Sequence, residues 1–277
     1  MMLRRPRLGL RANAAIGGLL VGLAFAAALV ALVWTPYDPL AIDLAQKLQA
    51  PSLAHWCGTD EYGRDIASRA MTGAASSGLI ALLTVAFAVT AGTLVGIAAG
   101  YAGAWVDRVL MTINDALLAF PGILLALGVM AVTGPGRFGL VLALALAYAP
   151  TVARVVRAAV LSLREREFIE ASRMIGNPEW LTMLRHVLPN CMAPIAVLAT
   201  SMFGWVLLSE SALSFLGLGV APPAPTWGNM LAGARSYIES AVWTGVVPGA
   251  CIALTLLGIN LLGDAVRDRF DPRMHGA

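Results

Sequence analysis

A chain of 277 residues with 58% hydrophobic and 13% charged side chains and a mean hydropathy of +0.76 carries more apolar surface than a water-soluble fold can hide. The net charge of +3 is small, so the placement of charge along the chain says more than its sum. Cys57, Cys191 and Cys251 are too few and too scattered for a disulfide framework and are expected to pack.

Six apolar blocks suit membrane helices: residues 14–34, 77–100, 116–133, 138–158, 191–217 and 241–263. Residues 1–13 precede them as an arginine-rich tail. The first block would be about 30 Å long as a helix, which matches the hydrocarbon thickness. Its apolar run exceeds the roughly 7 to 15 residues of a signal-peptide core, so it is expected to stay as a span.

Residues 35–76 form the first polar segment and include HWCGTDEYGRDIASR from His55 to Arg69. Asp60 is expected to cap a short helix, with Glu61 and Asp65 near its positive end. His55, Cys57 and Asp60 match no established ligand spacing, so no metal is expected. In the second block Ala88, Gly92, Gly96 and Gly100 recur every fourth residue, a stripe that lets another backbone come close. The third and fourth blocks are separated only by Gly134, Pro135, Gly136 and Arg137 and should form a hairpin. Pro121, Pro150 and Pro248 are candidates for kinks.

Residues 160–190 enclose the longest charged run of the chain, REREFIEASRMIGNPEWLTMLRHVLPN from Arg164 to Asn190. Phe168, Ala171, Ser172 and Ile175 fall at i, i+3, i+4 and i+7 and predict one apolar stripe on a charged helix. Gly176 suits the left-handed position that ends such a helix. Asn177 is then an N-cap and Pro178 a first residue for a second helix, with Trp180, Leu181, Leu184 and Leu188 as its apolar side and Pro189 at its end. An amphipathic helix pair of this kind lies on lipid, covers its own bundle or docks on a partner. Glu165, Glu167, Glu170 and Glu179 oppose anionic headgroups and favour docking.

The fifth block contains Glu210, flanked by Ser209, Ser211 and Ser214. A charge at mid-bilayer costs about 3 kcal/mol on insertion scales, which makes an ionisable residue there a functional candidate. Glu210 and Ser214 are thus candidates for a pathway or an outer gate, and a hydrogen-bonded structural carboxylate is the competing reading. Pro222, Pro223, Pro225 and Trp227 make a stiff loop before the last block. Residues 264–277 close the chain, with Asp264, Arg267, Asp268 and Arg269 as a solvated end.

With the N-terminus inside, 14 of the 19 Lys and Arg residues lie on the inner side: Arg4, Arg5, Arg7, Arg11, Arg108, the six from Arg154 to Arg185, and Arg267, Arg269 and Arg273. Lys47, Arg64, Arg69, Arg137 and Arg235 lie outside. That bias places both termini and residues 160–190 in the cytoplasm. Lys47 is the only lysine, so no phosphate-binding loop of the Walker type exists in the sequence and the chain cannot itself be an ATPase.

Glu170-Ala171-Ser172, then Gly176, then Leu188-Pro189 resembles the EAA loop of ABC-importer permeases. HWCGTDEYGRD, LLAFPG (117–122), SESALSFLGLG (209–219), PTWGNML (225–231) and NLLGDAVRDRFDPR (260–273) are similar to the branch importing dipeptides, oligopeptides and nickel, and to the shorter of its two permease subunits. Ser172 stands where Ala is usual, and His186 where many importers carry an aliphatic residue. The resemblance implies an all-α membrane protein of type I importer architecture in the bacterial inner membrane, with a permease core of five spans over residues 77–263. It implies a coupling site at Glu170, Ala171, Ser172, Gly176, Leu188 and Pro189. Its partners would be a second permease subunit, two cytoplasmic ATPase subunits that use ATP and Mg, and an extracytoplasmic substrate-binding protein; no nucleic acid is involved. Asp60, Arg64, Asp65 and Trp227 would face the binding protein. No cofactor or metal would be held by the chain itself, and no residue would be catalytic. A secondary transporter driven by an ion gradient, with Glu210 and Asp115 as its acids, and a membrane-embedded enzyme are the alternatives.

Overall fold

The computed structural model describes residues 7–270. It is helical throughout apart from turns and one isolated bridge between Thr59 and Asp65. The helices are α1 (Arg7–Val30), α2 (Ile66–Tyr101), α3 (Ala104–Leu118), α4 (Gly122–Thr133), α5 (Arg137–Leu163), α6 (Glu167–Met174), α7 (Glu179–Thr182), α8 (Leu188–Phe215), α9 (Trp227–Ala234) and α10 (Trp243–Phe270). Five helices among the described residues are long and apolar enough to cross a membrane, and the bent pair α3–α4 makes a sixth crossing if counted as one. The tails expected at 1–13 and 264–277 are helical from Arg7 and as far as Phe270; Arg4, Arg5 and Arg273 lie outside the described residues.

α2 and α5 form the centre of the bundle. The stripe read from sequence is what brings them together: a Cβ on Gly92 would lie 2.5 Å from the Ala149 carbonyl oxygen, and one on Gly96 would lie 2.6 Å from that of Ala153. Val152, Val156 and Val160 fill the space that the absent side chains leave. Around this contact Ile80, Met130, Leu140, Leu144, Met202, Leu207 and Leu213 are fully buried. Leu19, Phe25, Leu82, Phe87, Leu94 and Leu254 point outward, an apolar exterior suited to hydrocarbon. α1 rests on α10, where Gly17 meets the backbone of Gly258.

Two blocks differ from their predicted bounds. The second span begins at Ile66 instead of residue 77, because Asp65 caps it by accepting from the Ser68 amide at 2.8 Å and the polar first turns bond to the outer segment. The third is broken: α3 and α4 meet at 92° across residues 119–121. Pro121 supplies no amide hydrogen and forces the residue before it out of helical conformation. α3 starts at Ala104, earlier than predicted, and is tied to α5 by Asp107 with Arg157, by Asp115 with Arg154 at 2.7 Å, and by Asn114 donating to the Pro150 carbonyl at 3.2 Å. Asp115 is therefore an exposed ion-pair partner, not an isolated membrane acid.

Candidate functional site

α6 ends as its sequence requires. Gly176 adopts φ +83°, its amide donates to the Arg173 carbonyl at 2.9 Å, and the Asn177 amide reaches back to the Ser172 carbonyl at 3.2 Å. This is the paired closure of a Schellman motif, and glycine takes that left-handed position without a Cβ penalty. The cap of α7 is Pro178, one residue later than predicted. Asn177 instead donates its side-chain amide to Ser172 Oγ at 3.0 Å, and Ser172 Oγ lies 2.9 Å from Thr182 Oγ1. Ser172 and Thr182 are both buried, so the small hydroxyl at the third position of Glu170-Ala171-Ser172 sits inside the elbow and joins its two arms.

The predicted stripe of α6 faces outward in part. Ile169 and Ser172 are the buried residues of the helix, whereas Phe168, Ala171 and Ile175 are exposed. α6 turns its Ile169–Ser172 side inward, where Ser172 meets Thr182 of the second arm, and the rest of the stripe is left open. Met174 is 90%, Ile175 79% and Trp180 60% exposed, with Leu184 also outside. Glu170 is exposed and forms no ion pair among the described residues; Arg173 lies over the Tyr101 ring at 5.3 Å. The elbow thus shows an apolar surface edged by Glu170 and Glu179.

Pro189 does not end the second arm. α7 runs through a π-helical turn, Met183–Val187, directly into α8, and Glu179–Phe215 makes one 37-residue helix. The Leu188 amide bonds to the Met183 carbonyl, five residues back, and this wider turn makes room for a proline ring that would strike the carbonyl of an ordinary α-turn. Leu188 is half-buried and Pro189 exposed at the start of α8.

At the other end of the same helix, Glu210 is 0% exposed. Ser214 Oγ donates to its carboxyl at 2.8 Å and Ser211 Oγ lies 3.4 Å from it, with the hydroxyls of Ser77 and Thr226 close by. Ser77 is on α2, and Thr226 caps α9 through a capping box with Asn229. The Trp227 amide donates to Ser77 Oγ at 3.2 Å, and its indole donates to the Ala70 carbonyl at 2.9 Å. Ser77 thus ties α2 to the start of α9 beside the Glu210 carboxyl, which Ser214 of α8 itself holds. Enclosed on all sides, Glu210 and Ser214 line no open passage in this conformation. Ser77 and Thr226 were missed as partners, although the Thr226-Trp227-Gly228-Asn229 spacing of a capping box was in view.

The outer segment also differs from expectation. Asp60 caps no helix: it accepts from the amides of Tyr62 at 2.9 Å and Arg64 at 3.0 Å, from Arg64 Nε at 2.7 Å, and faces Arg69 Nε at 3.4 Å. Asp60, Arg64, Asp65 and Trp227 are all buried, because their polar atoms are spent on one another and on backbone. They support the surface of the segment before α2 without forming it; Leu53, Trp56 and Tyr62 are among the side chains that protrude there. No cluster of three metal-binding side chains exists among the described residues.

A long-helix bundle with an apolar exterior, a glycine-packed centre and one polar elbow is that of a multi-span membrane permease. Residues 92–276 match the family described as the inner membrane component of binding-protein-dependent transport systems, and the chain belongs to that family. It is 45% identical over 230 residues to a dipeptide transport system permease protein of Alkalihalophilus pseudofirmus, covering 83% of this chain and 76% of that one. It is 41% identical over 267 residues to a glutathione transport system permease protein of Pectobacterium atrosepticum, covering 96% and 89%. In fold it is similar to a methionine ABC transporter solved in inward-facing conformations, with a TM-score of 0.55 at 20% identity over 71% of this chain and 94% of that one. An amino acid ABC transporter gives 0.56 at 17% identity over 73% and 94%. The architecture is thus that of type I importer permeases. The secondary-transporter and enzyme alternatives receive no support.

Proposed function

We propose that this chain is one of two permease subunits in an ATP-driven importer of the bacterial inner membrane, carrying peptides or a related small solute delivered by an extracytoplasmic binding protein. The relatives at 41–45% identity are named as dipeptide and glutathione permeases, which supports the substrate class. The elbow and both termini face the cytoplasm on the charge bias. ATP and Mg are used by two separate ATPase subunits, since the only lysine is Lys47.

The observation that carries this reading is the elbow: a helix pair whose Glu170, Met174, Ile175 and Trp180 are exposed, with Glu170 in no ion pair among the described residues. In the proposed mechanism Ile175 and Trp180 enter a cleft of the ATPase, Glu170 pairs with a basic group there and fixes register, and Gly176 permits the turn. Ala171 lets the surfaces approach. Because Trp180 and Glu210 lie on one helix, displacement of the elbow is delivered to the outer end, about 45 Å away at the usual helical rise. There the buried Glu210 carboxyl, next to the Ser77–Trp227 link between α2 and α9, acts as the outer latch. The segment around Asp60, Arg64 and Asp65 and the α9 region around Trp227 hold the surface offered to the binding protein.

Reconstitution of the full importer in proteoliposomes tests this. Glu170→Arg is expected to insert and assemble with the second permease but to lose transport; full transport would refute the docking role.

A further inference from the structure

A second cluster of buried ionisable groups lies between α1 and α2, and transport coupling does not draw on it. His55 is 6% exposed, and its ring packs on Tyr37 with centroids 4.6 Å apart. Nδ1 is 2.9 Å from Asp65 Oδ1, and Nε2 contacts Gln46 Oε1. The other oxygen of Asp65 accepts from the amide and hydroxyl of Ser68, at 2.8 and 2.7 Å.

The orientation of Gln46 decides the state of the ring. Its side-chain nitrogen is 2.9 Å from Asp43 Oδ2, while Asp43 Oδ1 accepts from the Ala45 amide at 3.0 Å. A carboxylate only accepts, so Gln46 must offer Asp43 its NH₂ and turn its oxygen to His55. The reversed amide would set two acceptors against each other. An amide oxygen also only accepts, so Nε2 must bear a proton; Nδ1, facing a carboxylate oxygen, must bear the other.

We infer that His55 is an imidazolium, donating from both ring nitrogens, and that it is the positioning residue that clasps the outer segment onto the first turn of α2. The groups facing it are the Asp65 carboxylate, the Tyr37 ring and, through Gln46, Asp43. The nearby cations are engaged elsewhere: Arg64 and Arg69 on Asp60, and Lys47 over the Tyr237 ring at 5.5 Å. The clasp joins three stretches, the chain at Tyr37, the 3₁₀ turn Leu44–Gln46 and the start of α2. The His55 carbonyl accepts from the amides of Ser52 at 2.8 Å and Gly58 at 2.9 Å, closing the loop that presents Leu53, 98% exposed, and Trp56. That this loop meets a binding protein rests on the proposed function; the charge on His55 does not.

With three histidines in the chain, ¹⁵N-histidine labelling of the full protein in lipid nanodiscs resolves the state directly, with His186 and His275 assigned by substitution. Two protonated ring nitrogens on His55 are expected, with a scalar or through-space link from Nε2–H to Gln46. A neutral ring with one bare nitrogen would overturn the inference. Hydrogen exchange provides the second readout: His55→Gln, which cannot donate twice along these directions, should speed exchange of the Ser52, Gly58 and Ile66 amides about tenfold, and His55→Lys, which keeps charge and donors, should restore much of the protection. Unchanged exchange in His55→Gln would remove the clasp role.

Discussion

Ser172 Oγ lies 2.9 Å from Thr182 Oγ1, and this buried hydroxyl pair joins the short helix α6 to the start of the 37-residue helix Glu179–Phe215. α6, of eight residues, would not persist alone, since isolated helices under about 12 residues are marginal in water. Its stability comes from this pair, from the buried Ile169 and from the closure at Gly176. Ser172→Val should leave the buried Thr182 hydroxyl unpaired at a cost of about 1–3 kcal/mol, Thr182→Val should cost less because Ser172 still accepts from Asn177, and the double substitution should cost less than the sum. A double-mutant cycle read by hydrogen exchange at the Gly176 and Asn177 amides measures the coupling; simple additivity would show that the pair is incidental.

Gly176→Val should be more damaging to coupling than to folding. A β-branched residue in the left-handed region costs about 1–2 kcal/mol, and open space surrounds the position, so the strain is purely local. Expression and detergent stability should remain close to wild type, while ATP-dependent uptake falls steeply. A Gly176→Asn variant, which tolerates the same conformation better, should recover part of it.

Glu210→Gln tests the outer latch. The Glu210 carboxyl accepts from Ser214 Oγ at 2.8 Å and faces Ser211 Oγ at 3.4 Å, with Ser77 and Thr226 close by. Gln turns one of the two accepting oxygens into a donor and leaves a buried hydroxyl unsatisfied. A loss of about 1–3 kcal/mol is expected, seen as a lower melting temperature and altered transport rate. If transport and substrate range were unchanged, Glu210 would be a structural carboxyl only.

Gly96→Leu should prevent the bundle from forming. Any Cβ at that site meets the Ala153 carbonyl oxygen at 2.6 Å and Val156 Cβ at 2.8 Å, both on α5. The same change at Gly128, which has open space around it, should be tolerated. Recovery of folded protein from membranes distinguishes the two.

Cys57 should be a slow thiol. Burial, and then the nearby Asp65 carboxylate, push its pKa above the ordinary thiol value, so the reactive thiolate is depleted at neutral pH and grows only as the solution becomes alkaline. Maleimide labelling followed against pH checks this; rapid labelling at neutral pH would contradict it.

Much of the architecture was legible because a bilayer allows few solutions. Apolar blocks of helical length announced the spans, and glycines at every fourth residue marked the face on which α2 meets α5. Gly176 announced its own turn, since few other residues favour φ +83°. What the sequence did not reveal depends on partners distant in the chain. Pro189 suggested a stop, yet the π-turn before it carries the helix onward. The stripe of Phe168, Ala171, Ser172 and Ile175 announced an amphipathic helix, but not that Ser172 would turn inward to Thr182 while the other three stay outside. Asp60 looked like a cap, although the cap proved to be Asp65 and Asp60 closes a turn around Arg64. Glu210 stood out at once, whereas Ser77 and Thr226, from either side of it in sequence, needed the fold to bring them together.

The elbow is the proposed joint through which ATP hydrolysis on separate subunits would move this chain. Its most direct test is substrate uptake and ATP hydrolysis measured together in proteoliposomes holding the complete importer, wild type against Glu170→Arg. Assembled permease with uptake lost, and hydrolysis no longer stimulated by loaded binding protein, is the predicted result. Uptake and stimulation equal to wild type would contradict it and return the elbow to a surface helix pair.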